Sequence, residues 1–350
     1  MNLTEMFVDE NLTLVKAMEE LDKVATKVLF IVDNYKLVAS VTDGDIRRSI
    51  LKDGNLQVKI KKIANYHPHF LHEADKNKAK KYMKEHSIEV LPIVDKSKNV
   101  LTVVIWNDGE LRPQLEKINL PVVIMAGGFG TRLYPYTKIF PKPLIPIGDI
   151  PIIERIINRF YAQGCKSFHL IVNHKKNMIK AYFNEVKKKY HITYVDEDKP
   201  LGTGGGIGLL KGKVQETFIL TNCDILVDSE FNKIYKFHKK NKNLITMVCS
   251  MNNFKIPYGV VNMGKDGCLE SMQEKPSIPF LVNTGCYVVE PEVIENIAEN
   301  KKLDFPDIVQ QLKDLGRNVG VYPISEDSWF DMGQLDELEK MKKNSGIIDE

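Results

Sequence analysis

The sequence predicts an α/β fold with a mixed, mostly parallel sheet covered by helices, preceded by a separate repeated module. Three observations lead there. Beyond about residue 120, short apolar runs alternate with amphipathic helical stretches, the first of these runs stops at a cluster of glycines, and upstream of it one apolar motif occurs twice.

The chain is 350 residues long, enough for two domains that each bury a core. Hydrophobic residues make up 43% and charged residues 27%, an ordinary globular balance. The net charge of +3 comes from 49 basic and 46 acidic residues, which gives no argument for nucleic acid or membrane partners. No run approaches the roughly 18 apolar residues of a membrane span, and MNLTEMFVDENLTLVK lacks a basic stretch followed by an apolar one. A cytoplasmic location is the expectation. Cys165, Cys223, Cys249, Cys268 and Cys286 are odd in number and without C-x-x-C spacing, so buried reduced thiols are expected rather than a disulfide framework or zinc.

In the upstream module, Val28-Leu29-Phe30-Ile31-Val32-Asp33 recurs as Val90-Leu91-Pro92-Ile93-Val94-Asp95. Each copy follows a helical stretch and precedes a second apolar strand, the mark of an internal duplication. Leu14, Ala17, Met18, Leu21 and Val24 fall on one helical face. Thr42-Asp43-Gly44-Asp45 ahead of IRRSIL reads as a helix N-cap. His67, His69, His72 and His86 match no tetrahedral zinc spacing. The boundaries are drawn at residues 1–57, 58–115 and 120–350, with the Pro113-bearing stretch Glu110 to Leu120 as linker.

Downstream, strands are expected at Val122–Met125, Phe168–Val172, Ile192–Asp196 and Phe218–Leu220, and helices at Ile152–Gln163 and Asn177–Lys189. Ile152, Ile153, Ile156, Ile157 and Phe160 share one face of the first helix, which Gly164 ends. In such folds a ligand sits beyond the carboxyl ends of the strands. There the chain reads Ala126-Gly127-Gly128-Phe129-Gly130, whose glycines permit positive φ and leave N–H groups bare for phosphate oxygens. Arg132 adds a forked cation, and Lys142 adds a point charge between two prolines. The spacing fits neither the dinucleotide fingerprint nor a P-loop.

Met125 to Pro146 resembles the signature of the sugar-1-phosphate nucleotidyltransferases, (L/M)AGGxGTRLxPxTxxxPKPLxP. Further along, Pro200-Leu201-Gly202-Thr203-Gly204-Gly205-Gly206 is similar to that family's LGTxG segment, and Trp329-Phe330-Asp331-Met332-Gly333 to its W-x-D-(I/M)-G element. The resemblance implies a Rossmann-like, GT-A-like fold. It implies nucleotide binding by Ala126, Gly127, Gly128, Gly130, Thr131, Gly202 and Thr203, with five small residues letting a base lie flat on the backbone. Arg132, Lys142 and Lys275 would handle phosphates. Gly259, Glu274 and Asn283 would face the sugar, and Asp224 and Asp331 would hold Mg²⁺.

The upstream repeats resemble a cystathionine-β-synthase (CBS) pair, or Bateman module. That likeness implies adenine-nucleotide binding at Thr42 and Asp45, with helix capping as the alternative, and possible pairing of chains into a homo-oligomer. In the second copy no Ser or Thr stands at the equivalent place, although Asp108 is in reach of a ribose. The whole layout is similar to the guanylyltransferases of legionaminic acid synthesis, which implies GTP and glucosamine-1-phosphate as substrates and GDP-glucosamine as product. Mannose- or heptose-1-phosphate guanylyl transfer, uridylyl or thymidylyl transfer, and a non-catalytic nucleotide sensor stand as alternatives.

Overall fold

The computed structural model describes residues 3–24, 26–86, 88–106, 116–298 and 301–333; Asp108 and most of the linker lie outside them. The chain divides into two compact units, Met1–Gln114 with Met251–Leu281, and Leu115–Ser250 with Val282–Glu350.

In the first unit the duplicated motif builds one small sheet twice. β1 (Phe7–Val8) lies parallel to β2 (Val28–Asp33), which runs antiparallel to β3 (Lys36–Thr42). β4 (Leu71–His72), β5 (Val90–Val94) and β6 (Val100–Ile105) repeat that topology. α1 (Leu14–Lys23) starts at Thr13, whose side chain accepts from Lys16 N, and Leu14, Ala17, Met18, Leu21 and Val24 are all buried. α2 (Asp43–Asp53) and α3 (Ala79–His86) complete the copies. Val90, Val94 and Val100 of the second copy share a core with Leu29, Phe30 and Ile31 of the first, while Ala79, Met83, Leu91 and Ile93 form a smaller cluster within the second copy. Residues just past 57 still pair with the first copy: Leu14 N donates to Val58 O at 2.8 Å, and Asn65 exchanges backbone bonds with Ser40.

The second unit is built on β7 (Val122–Met125), whose β-branched Val122, Val123 and Ile124 are fully buried, as a central parallel strand requires. The chain continues through a short pair, β8 (Pro146–Ile147) and β9 (Ile150–Pro151), then α4 (Ile152–Ala162), β10 (Ser167–Val172), α5 (Lys176–Glu185) and β11 (His191–Asp196). After α6 (Gly202–Gly205) come β12 (Phe218–Asn222), β13 (Ile225–Val227), α7 (Phe231–Lys240) and β14 (Ile245–Lys255). An isolated hairpin, β15 (Val260–Met263) with β16 (Leu269–Gln273), leads to β17 (Ser277–Val289), α8 (Glu292–Glu295), α9 (Phe305–Asp314), β18 (Val319–Ser325) and β19 (Trp329–Asp331).

The seven-stranded sheet has the order β11-β10-β7-β12-β17-β14-β18. β11, β10, β7 and β12 are mutually parallel and β17 is antiparallel to β12, which makes the sheet mixed. Met125 is in register with Ile171 and Asn222, so the carboxyl ends of three strands form one edge. α4 buries the five residues its periodicity selects. α5 ends at Glu185 instead of Lys189, because Val186 is already extended and the three lysines after it have no apolar face to bury.

Residues 251–281 group with the upstream repeats, although the sequence drew one domain over 120–350. The anchor is Met251, which is buried among the repeats' core residues. One methionine in a polar stretch is no periodic signal. Among the described residues no helix is long and apolar enough to cross a membrane. Four of the five cysteines are buried, and burial pushes the Cys223 and Cys286 thiols up to about 12, leaving them inert as nucleophiles.

Candidate active site

Two adjoining cavities of about 310 and 320 Å³ open beyond the carboxyl edge of β7 and β12, with Met125, Arg132, Thr203, Asn222 and Asp224 in the walls of both. The three glycines after β7 serve three purposes. Gly130 alone takes a positive φ, +68°, and a Cβ there would press on Lys142 and Thr137. At Gly127 a Cβ would lie 2.8 Å from Glu197 Oε2, whereas Gly128 faces open space. Ala126, expected to bind nucleotide, is buried and gives its N–H to Ile171 O at 2.8 Å. That N–H is therefore not free for phosphate. Thr131 opens the short turn that carries Arg132.

This loop is braced from β10's side by a residue the sequence did not flag. Lys175 Nζ donates to the carbonyls of Thr137, Lys138 and Ile139 at 3.0, 2.6 and 3.0 Å. Thr137 Oγ1 in turn donates to Gly130 O at 2.9 Å. Lys142 is thereby aimed at the strand ends, where its ammonium bonds the Asp224 carboxylate, and Arg132 stands 3.9 Å from the same oxygen. The Lys142 and Asp224 side chains are only 12% and 6% exposed, so this is a desolvated pair.

β13 and β19 run antiparallel with Ile225 opposite Asp331, and Met332 N donates to Asp224 O at 2.8 Å. That pairing brings the two aspartates together. A Cβ placed on Gly333 would lie 2.9 Å from Asp331 Oδ1, 3.2 Å from Lys142 Nζ and against Asp224 Oδ2. The glycine keeps clear a point on which both carboxylates converge. Asp331 Oδ1 accepts from Gly333 N at 2.8 Å, and two carboxylates brought this close on rigid strands suit Mg²⁺, which takes one or two carboxylates and completes its shell with phosphate and water. No cluster of three or more acidic, His or Cys ligands exists among the described residues.

The glycine-rich loop also packs against the chain's own backbone. Gly204 and Gly205 N–H groups donate to Leu303 O at 2.8 and 2.9 Å, and Leu303 N returns a bond to Leu201 O. A Cβ on Gly205 would strike the Lys301 carbonyl. Gly204 and Gly205 therefore seat the 301–305 segment, while Gly202 and Thr203 stay in the cavity wall. Thr203 Oγ1 accepts from Phe305 N at 3.0 Å. Gly205→Ala is expected to destabilise the protein by about 1–3 kcal/mol through overpacking, against less than about 0.5 kcal/mol for Gly128→Ala; urea denaturation of both distinguishes them.

Glu197 is the other residue missed. It is 6% exposed, lies in the wall beside Gly127 and Gly128, and accepts from Leu201 N at 2.9 Å. Burial holds its carboxyl above the usual range, with the Leu201 N–H acting in the opposite direction. Asn283 lines the first cavity and is fixed by Tyr287 OH and Gly285 N.

Gly259, Glu274 and Lys275 belong to the other unit and form a local group there. Glu274 Oε2 lies 2.9 Å from where a Cβ on Gly259 would be, and Lys275, at φ +46°, has its Nζ 4.0 Å from Glu274 Oε1. Thr42 and Asp45 satisfy each other as a capping box on α2, and Asp45 also pairs with Arg48.

Residues 121–346 match the family model described as "Nucleotidyl transferase". A D-glycero-α-D-manno-heptose 1-phosphate guanylyltransferase of Campylobacter jejuni is 33% identical over 194 residues, covering 55% of this chain and 86% of that protein. A mannose-1-phosphate guanyltransferase of Yarrowia lipolytica is 31% identical over 227 residues, 61% of this chain and 60% of its own. The chain spans about three fifths of the length of the mannose-1-phosphate relatives. Among solved structures, HddC from Yersinia pseudotuberculosis superposes with a TM-score of 0.51 at 22% identity, over 65% of this chain and 99% of that one.

Proposed function

The chain belongs to the nucleotidyl transferase family, and on that premise we propose that it transfers a guanylyl group from GTP to a sugar-1-phosphate, releasing pyrophosphate. The observation that carries the choice of base is Glu197. An ionised carboxylate only accepts hydrogen bonds, and guanine offers two adjacent donors, N1–H and the 2-amino group. Uracil and thymine offer one donor between two carbonyls that a carboxylate repels, and adenine offers an acceptor at N1. The names of the Campylobacter and Yarrowia relatives agree with guanine.

The sugar-phosphate oxygen is already an anion, so attack on the α-phosphorus needs no general base; the work is positioning and charge neutralisation. The bare N–H groups from Gly127 to Thr131 and the Arg132 fork would receive the departing pyrophosphate. Lys142 would hold the reacting phosphate and keep Asp224 oriented. Asp224 and Asp331 would hold Mg²⁺, which when bound supplies further neutralisation of phosphate charge. For the acceptor, glucosamine-1-phosphate is our reading, supported by the layout of two CBS-like repeats ahead of PLGTGGG; the relatives' names speak for mannose and heptose instead.

Pyrophosphate release measured over GTP, ITP, UTP, dTTP and ATP, with glucosamine-, mannose- and heptose-1-phosphate, tests this directly. Preference for UTP or dTTP overturns guanine. Glu197→Gln is expected to cut the preference for GTP over ITP by roughly ten- to hundredfold. As pH falls, KM for GTP should rise at a pH above the ordinary glutamate range near 4.3, and that limb should vanish in Glu197→Gln. The same raised pKa adds stability on acidification whereas carboxylates held low, such as Asp196 and Glu290, lose it, so a thermal melt at the same pH separates the KM rise from unfolding.

A further inference from the structure

Asp304 stands at the N-cap of α9, where an aspartate ordinarily turns its carboxylate onto the first N–H groups of the helix. Here it makes no such bond. Pro306, the second helical residue, has no N–H to offer it, the N–H of Asp307 goes to the Asp304 carbonyl at 3.1 Å, and the N–H of Phe305 goes to Thr203 Oγ1, which reaches across from α6. Released from capping, the Asp304 carboxylate has no hydrogen-bond partner among the described residues and lies in the wall of the 320 Å³ cavity with Glu197, Pro200 and Gly202. Gly202 makes the room. Its φ is +76°, and a Cβ there would stand 2.7 Å from Asp304 Oδ1.

Asp304 is exposed at the cavity, so water solvates its carboxylate in the free protein, and a nucleotide that covers it must offer donors in place of that water and cannot turn its phosphates there. A nucleoside triphosphate has donors in two places, on the base edge and on the ribose diol. Glu197 is tied to Leu201 N, and Asp304 flanks the next residue, Gly202. Consecutive Cα atoms are about 3.8 Å apart, so the two acceptors are neighbours along one wall, as a base edge and its ribose are neighbours in a nucleotide. We infer that Asp304 accepts hydrogen bonds from the ribose hydroxyls and makes the enzyme selective for ribonucleotides. This rests on the nucleotidyl-transfer reading of the cavity but not on the identity of the base.

The test compares wild type, Asp304→Ala and Asp304→Asn on GTP, 2′-deoxy-GTP and 3′-deoxy-GTP by pyrophosphate release. For Asp304→Ala, kcat/KM with GTP is expected to fall roughly ten- to hundredfold, mainly through nucleotide KM, with sugar-phosphate KM unchanged. At least one deoxy analogue should serve wild type as poorly as it serves Asp304→Ala, and Asp304→Asn, which keeps an acceptor, should fall between. An equal loss on GTP and both analogues, or no loss on GTP, overturns the assignment. Should wild type prefer UTP, the same comparison runs on UTP and its 2′- and 3′-deoxy forms, so failure of the guanine reading is told apart from failure of this one. Thermal melts of the variants report any loss of α9 separately.

Discussion

Asp331→Asn is expected to reduce turnover by more than the ~10²–10³-fold that losing a single preorganised contact costs, while the protein stays folded. The reason lies in the convergence of Asp331 and Asp224 over Gly333. An amide keeps the shape of the carboxylate but removes half of the charge that would face a divalent ion. The deficit should be partly relieved by raising Mg²⁺, and Mn²⁺ binding followed by water-proton relaxation should weaken in parallel. Gly333→Ala offers an independent check, because its methyl would occupy the point both carboxylates face. Near-normal turnover in Asp331→Asn, or Mn²⁺ affinity unchanged in both variants, removes these residues as the metal ligands.

Much of this site was legible because its residues hang from strand ends. An apolar run followed by a polar residue announces β7 with its glycines, and the same logic places Asp224 after β12 and Asp331 at the end of β19. Glu197 was illegible for the opposite reason. It sits in Asp196-Glu197-Asp198, which reads as a solvated acidic turn, and only the fold decides that Asp196 pairs outward with Lys176 and Lys180 while Glu197 is buried. Asp304 was hidden by its own ordinariness, since Asp before Phe-Pro looks like a helix cap. The loop from Gly202 was only partly legible: glycine reports that something comes close, and the packing of Gly204 and Gly205 on the chain's own 301–305 backbone was not in the spacing. Spacing along the sequence carries neighbours on one element. It does not carry partners more than about a hundred residues away.

Lys142 and Asp224 should show opposite behaviour in stability and in activity when changed together. Both side chains are nearly buried, and their contact is the main charge compensation either has inside the unit. Lys142→Met leaves Asp224 as a desolvated anion with only the exposed Arg132, 3.9 Å away, to compensate it, and Asp224→Asn leaves Lys142 as a desolvated cation. Breaking a buried pair from one side costs about 3–5 kcal/mol, whereas replacing both partners is often close to neutral. The double variant is therefore expected to melt well above either single one, with a coupling energy in the cycle above the ~0.5–3 kcal/mol of ordinary contacting pairs. Turnover should not follow. If Lys142 holds a phosphate and Asp224 holds the metal, each single variant already removes most of the rate, and the double stays at that floor instead of recovering. Recovery of turnover along with stability would mean that the pair is a structural ion pair at the edge of the cavity and that the phosphates are handled by Arg132 and the glycine loop alone.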